Sequence, residues 1–178
     1  MLIVFILGMA PGTAAAGSIT VHSADSNVIN QMLVISAELD FVFSDDALEA
    51  MQSGVALIVD VDFRIKRQRR YIWDPSILNL SRRYRIERHA ISDRYVITDL
   101  VTDNRRIHDS IEAAVRDLGR IREIPIAENS QIDSSLDYQV GIRARLDLES
   151  LPAPLRPLAY ISPSWRMSSG WYQWTLDP

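Results

Sequence analysis

The chain reads as a mainly β protein, an antiparallel β-sandwich of about eight strands with one short and one longer α-helix. Long stretches alternate apolar and polar residues with period two, the signature of strands with one buried face. Turn-forming residues punctuate these stretches at regular spacing. Helical periodicity is confined to two places, too few for the crossovers of a parallel sheet. The length of 178 residues suits one domain, expected at 17–178 behind a leader, and a chain of this size buries a core without cross-links.

The elements follow in order. A short first strand is expected at 18–22. A long one follows at 31–43, where Leu33, Ile35, Ala37, Leu39, Phe41 and Phe43 share one face and Ser36, Glu38 and Asp40 the other. Ser44 caps a short helix with Asp45 and Asp46 in its first turn, where the positive end of the dipole favours carboxylates. Gly54 ends it. Residues 55–67 return to alternation: Val55, Leu57, Val59, Val61, Phe63 and Ile65 point inward, and Asp60, Asp62, Arg64 and Lys66 outward. Pro75 interrupts the pattern, because proline cannot donate to a ladder.

Strands at 80–90 and 94–101 flank a tight turn at Ser92 and Asp93, and a turn at 102–104 leads to a short strand at 105–108. The longer helix is expected over 109–124. Asp109 and Glu112 resemble a capping box, Ile111, Ala114, Val115, Leu118 and Ile121 form an apolar stripe, and Pro125 stops it. Residues 127–135 read as a loop and 136–148 as the last long strand. Three prolines within 151–157 exclude a central strand there. Residues 160–165 and 170–176 read as a closing strand pair that carries Trp165, Trp171 and Trp174.

Residues 1–16 have the character of a signal peptide. An apolar run is followed by Pro11, Gly12 and the small residues Ala14 and Ala16, which fit the A-x-A rule and place cleavage after Ala16. No Lys or Arg precedes the run, so either the start codon lies upstream or the signal is atypical; a buried strand is the alternative. The run falls short of the roughly 20 residues that span a bilayer. The expected product is periplasmic or secreted and not membrane-spanning after cleavage. The absence of cysteine excludes disulfides, thiolate nucleophiles, Cys-based metal sites and an acylated lipoprotein anchor.

Charge is unevenly spread. Residues 64–106 hold twelve of the 19 Lys and Arg but only five of the 23 Asp and Glu, so a basic middle lies between acidic flanks. Almost every cation is Arg, whose planar fork suits bidentate contact with carboxylate and phosphate.

Several stretches resemble the exported proteobacterial proteins grouped as domain of unknown function 4390. They are the run Ala47-Leu48-Glu49-Ala50-Met51-Gln52-Ser53-Gly54-Val55, the Tyr-Ile-Trp-Asp block from Tyr71, Tyr84-Arg85-Ile86, Tyr95-Val96-Ile97-Thr98-Asp99-Leu100, Arg143-Ala144-Arg145-Leu146-Asp147-Leu148, and the Trp-rich ending from Trp165 to Trp174. The likeness covers nearly the whole chain after the leader. Ala56 stands where the family usually has proline. The resemblance implies a secreted or periplasmic protein with no established activity. It also implies a link to a membrane sensor histidine kinase, beside whose gene the family's genes tend to lie.

Catalytic signatures are absent. His22, His89 and His108 lack the spacing of a helical zinc pair, and no nucleophile elbow, P-loop or G-x-G-x-x-G occurs. His89 sits among arginines, which disfavour its charged form. Asp60 and Asp62 lie about 7 Å apart on one strand face, and nothing in the sequence encloses them in a cleft of the kind glycosidases need. No catalytic residue, metal or cofactor is assigned, and a hydrolase with an unrecognised site is the remote alternative.

The basic stretch carries more information. Arg64, Lys66, Arg82, Arg83, Arg85 and Arg88 lie on neighbouring strands, where alternate residues share a face. They form either a patch for an anionic partner or a solvated face paired with Asp60, Asp62 and Glu87. Nucleic acid fits the charge, but export argues against it. Trp165, Trp171, Tyr172 and Trp174 either line a partner surface or close the fold. The residues assigned to partner or ligand contact are Arg64, Trp73, Arg83, Arg85 and Trp171. The expected function is a non-enzymatic periplasmic accessory or binding protein serving a membrane signalling protein. Its alternative is an envelope lipid- or glycan-binding protein that uses the basic sheet face. Even–odd burial is expected to place the arginines outside and leave no enclosed polar site.

Overall fold

The computed structural model describes residues 16–67, 76–133 and 135–176. They form two antiparallel sheets facing each other, so the sandwich expected from the sequence is the fold. One sheet has the order β1-β2-β7, from β1 (Ser18–Ile29), β2 (Met32–Val42) and β7 (Arg120–Glu128). The other has the order β6-β5-β4-β3-β8-β9, from β3 (Leu57–Arg67), β4 (Ser76–His89), β5 (Arg94–Asp99), β6 (Arg105–His108), β8 (Tyr138–Leu146) and β9 (Tyr172–Leu176).

The core lies where the alternation predicts it. Leu33, Ile35, Ala37 and Leu39 of β2 face Val59, Val61, Phe63 and Ile65 of β3 and Val140, Ile142 and Ala144 of β8, all buried. Each large side chain removed from water contributes about 1.5–3 kcal/mol. A one-residue slip would turn the whole set outward, so the core itself fixes the register.

Three helices join the sheets: α1 (Asp45–Gln52), α2 (Ile111–Leu118) and α3 (Arg156–Ile161). Ser44 caps α1 as expected, its Oγ accepting from the Ala47 N–H at 3.3 Å, and Gly54 takes the left-handed φ of 88° just beyond the helix.

Several sequence expectations are corrected. The first strand runs to Ile29, past a bulge between Val21 and Ser23. The longer helix is short. Ser110, not Asp109, caps α2, its Oγ accepting from the Ala113 N–H at 3.2 Å, and the helix ends at Gly119. Residues 120–128 are then a strand, not a helix end followed by a loop. Pro125 does not stop a helix; it sits in β7 opposite Val34, which an edge strand next to a register shift tolerates. The expected closing pair is half present. Residues 160–165 are not a strand, because Pro157 and Pro163 start helical turns, in α3 and in the 3₁₀ turn Pro163–Trp165. β9 pairs with β8 instead. Residues 1–15, which hold most of the leader expected at 1–16, and Trp73 lie outside the described residues.

Candidate functional site

The outer face of the six-stranded sheet is built by strand register. Asp60 of β3 stands between Arg83 of β4 and Arg145 of β8, and Asp62 stands between Ser81 and Arg143. Each carboxylate accepts from both sides. Arg83 Nε reaches Asp60 Oδ1 at 3.0 Å and Arg145 Nη2 reaches Asp60 Oδ2 at 3.3 Å. Ser81 Oγ donates to Asp62 Oδ1 at 2.9 Å and Arg143 Nη2 to Asp62 Oδ2 at 2.7 Å. Arg83 also binds Asp147 just beyond β8. The hydrogen bond to Asp60 above all holds the Arg83 guanidinium charged, raising its pKa above the ordinary value.

One strand position further along, Arg64 has Gly141 as its β8 partner. The missing side chain makes room for Trp171. A Cβ on Gly141 would sit 3.2 Å from Arg64 Nε and 3.3 Å from the indole. The guanidinium carbon of Arg64 lies 3.7 Å from the Trp171 ring centroid, and that of Arg143 lies 4.7 Å from it. Two cations thus share one π face system. Burial, then the neighbouring Arg143 charge, lowers the Arg64 pKa from its ordinary value.

The structure therefore brings Arg64, Arg83 and Trp171 onto one surface, with Arg85 beside them opposite Ile58. Among the described residues Arg85 makes no hydrogen bond or ion pair, and Arg64 has no carboxylate partner. Arg82 and Arg88 do not join this patch. Arg82 and Arg88 share the strand face of buried Tyr84 and Ile86, opposite to Arg83 and Arg85. Arg88 instead pairs with Asp93 at 2.5 Å and donates to the Gln52 carbonyl. The tryptophans separate as well. Trp165 is buried beside α1, Trp174 donates its N–H to Ser26 Oγ at 3.2 Å, and among the described tryptophans only Trp171 reaches the arginine face. Sequence reading missed Arg143, Arg145 and Asp147. Their signal was the Arg-x-Arg-x-Asp spacing, which puts all three on one face of β8 and its extension.

Carboxylates gripped by arginines in this way serve structure. Among the described residues, no group of three or more His, Asp and Glu side chains is placed to hold a metal ion. Asp60 is 8% exposed. Asp60→Asn removes the charge that two guanidinium groups share. Breaking a fully buried pair costs about 3–5 kcal/mol. Here Arg83 and Arg145 keep 45% and 48% side-chain exposure, so the loss expected from urea unfolding is smaller, about 1–3 kcal/mol.

A family model described as a domain of unknown function, DUF4390, matches residues 16–175. The chain belongs to that family. No curated protein and no solved structure matches it. In this DUF4390 protein, two of the stretches that carry the resemblance meet on the outer face: the 143–148 run supplies Arg143, Arg145 and Asp147, and the Trp-rich ending supplies Trp171. Among the described residues no helix is long and apolar enough to cross a membrane.

Proposed function

We propose that this DUF4390 protein is a non-enzymatic accessory module, exported to the periplasm, that docks an acidic surface of a membrane signalling protein onto the outer face of its six-stranded sheet. The observation that carries this reading is the surplus of ordered cations on that face. Asp60, Asp62 and Asp147 fix Arg83, Arg143 and Arg145 in place, while Arg85 and Arg64 keep donors with no carboxylate among the described residues. Pre-fixed guanidinium groups lose little side-chain entropy on binding, and a stacked Arg–Trp pair is a common anchor at interfaces. The basic middle of the sequence and the leader expected at residues 1–16 support the same reading.

A second reading, anionic lipid headgroups or glycans bound on this face, is favoured by the same cation surplus. One experiment separates the two. Immobilised protein is presented with solubilised envelope membranes and, separately, with phosphatidylglycerol vesicles. Capture of a sensor kinase that falls at least about tenfold in the Arg64→Gln, Arg85→Gln double variant is expected for the first reading. Salt-sensitive vesicle binding without kinase capture replaces it by the second. Binding to neither sinks both.

A further inference from the structure

We propose that a half-open cleft on the other side of the six-stranded sheet, between its β4–β5–β6 end and the edge strand β7, binds a phosphate monoester. The cleft has a volume of about 400 Å³, within the range of small-molecule sites. It is separate from the arginine–aspartate face, since Tyr84 on its wall points to the inner side of β4 while Arg83 and Arg85 point to the outer.

The lining is polar, with cations left over. Asp117 of α2 is committed twice, to Arg106 at 2.9 Å and to His108 Nε2 at 3.0 Å. Asp99 is committed to the backbone, its Oδ1 accepting from the N–H groups of Val101 and Thr102 at 2.8 and 3.3 Å. Both acids of the cleft are thus engaged. Arg120 and Arg122 on the β7 rim have no ion pair among the described residues, although Glu38 lies opposite Arg120 in register. Behind the wall, the Nε of Arg82 is buried without a hydrogen-bond partner, close enough to act on the Tyr84 phenol. Burial, then Asp99, raises the Tyr84 pKa, so the phenol stays a neutral O–H donor.

Two unpaired guanidinium groups call for a ligand of two negative charges. A phosphate monoester carries about −1.5 to −2 near neutral pH and offers three acceptor oxygens. Arg forks bind such a group in bidentate fashion. Ile121 and Ile124 give the cleft one apolar wall for the organic part of the ester. The phosphate could belong to a free metabolite or to a lipid headgroup, and the test distinguishes them.

Phenyl phosphate is titrated calorimetrically at constant ionic strength, with vesicles containing phosphatidic acid as the second arm. Saturable binding in one arm is expected, weakened at least about tenfold by the pair Arg120→Gln, Arg122→Gln. Binding is expected to be unchanged by Arg166→Gln, an exposed arginine that bonds the Tyr160 carbonyl of α3 away from the cleft. Phenyl phosphate binding alone assigns a soluble ligand, and vesicle binding alone a lipid. Both rim arginines are exposed, so loss of fold is not expected. As a second measurement on the unaltered protein, amide shifts induced by the ligand should cluster at Asn104 and residues 120–124. No saturable binding in either arm, binding indifferent to the double substitution, or shifts confined elsewhere would overturn the assignment.

Discussion

Gly119→Ala is expected to lower stability by about 3 kcal/mol, read as a fall in the urea midpoint with an unchanged slope. The position is the joint between α2 and β7. Its carbonyl accepts from the Leu39 N–H at 2.8 Å, so the chain passes directly against β2. A Cβ there would stand 2.1 Å from the Leu39 carbonyl oxygen and 3.2 Å from its carbon. Neither is the end of a flexible side chain. Leu39 belongs to the central strand of its sheet and is held on both sides, so relief requires the helix–strand joint to move. Backbone conformation is not the cause, because φ is −72°. Gly54 supplies the contrast. Its φ is 88° and an added Cβ meets nothing within 4 Å, so alanine there bears only the left-handed penalty of about 1–2 kcal/mol. If the two alanine variants lose equal stability, close approach is not what Gly119 provides. The same joint aims Arg120 and Arg122, so Gly119→Ala should also disturb the rim of the inner cleft.

That joint marks where sequence reading stops being sufficient. The long strands were legible because each keeps one face in the core over nine or more residues, as in 32–42 and 57–67. The segment around 111–126 supports two periods at once. Ile111, Ala114, Val115 and Leu118 fit a helix, and Ile121 continues that stripe by spacing while in fact beginning a strand. Gly119 is the residue that resolves the ambiguity, because it caps the helix and permits the contact with Leu39. The strand that follows is itself irregular. Glu123 has φ 48°, and the register shifts between Ile35 and Ala37, so the even–odd signal is lost at the place where it was needed.

The candidate surface was legible only in part, for a different reason. Alternation within β3 and β4 put Asp60, Arg64, Arg83 and Arg85 on one face, and it equally assigns Arg82 to the other. Treating the basic stretch as a single patch overrode that parity. The partners from β8 were out of reach. Asp60 and Arg145 are 85 residues apart, and only the antiparallel β3–β8 register makes them neighbours. The expectation of no enclosed polar site passes over a half-open depression on the outer face, lined by Asp60, Arg145 and Asp147. It also misses the inner cleft, which exists because β7 is a strand.

Trp165→Ala should cost about 3–5 kcal/mol, the largest loss expected of any single truncation considered. Trp165 is 2% exposed and ends the 3₁₀ turn that packs against α1, where Ser164 Oγ bonds Asp46. Its indole N–H is buried and, among the described residues, makes no hydrogen bond. The ring therefore stabilises by volume and apolar contact alone. Trp165→Phe keeps most of that contact and removes an unsatisfied donor, so it should cost less than about 1.5 kcal/mol. Equal losses in the two variants would mean that the indole nitrogen has a role after all. The consequence reaches the arginine face through the chain that follows. Met167 accepts from the Leu146 N–H at 3.0 Å, and Ser169 meets the backbone of Ala144 through both its N–H and its hydroxyl. These contacts lead the chain through Gly170, at φ 66°, to the Trp171 ring over Arg64. Loss of the Trp165 anchor at one end of this staple should loosen the Arg64–Trp171 stack at the other. Heating Trp165→Ala should then expose Trp171 to a fluorescence quencher before the sheets separate. In Trp165→Phe the two events should stay together.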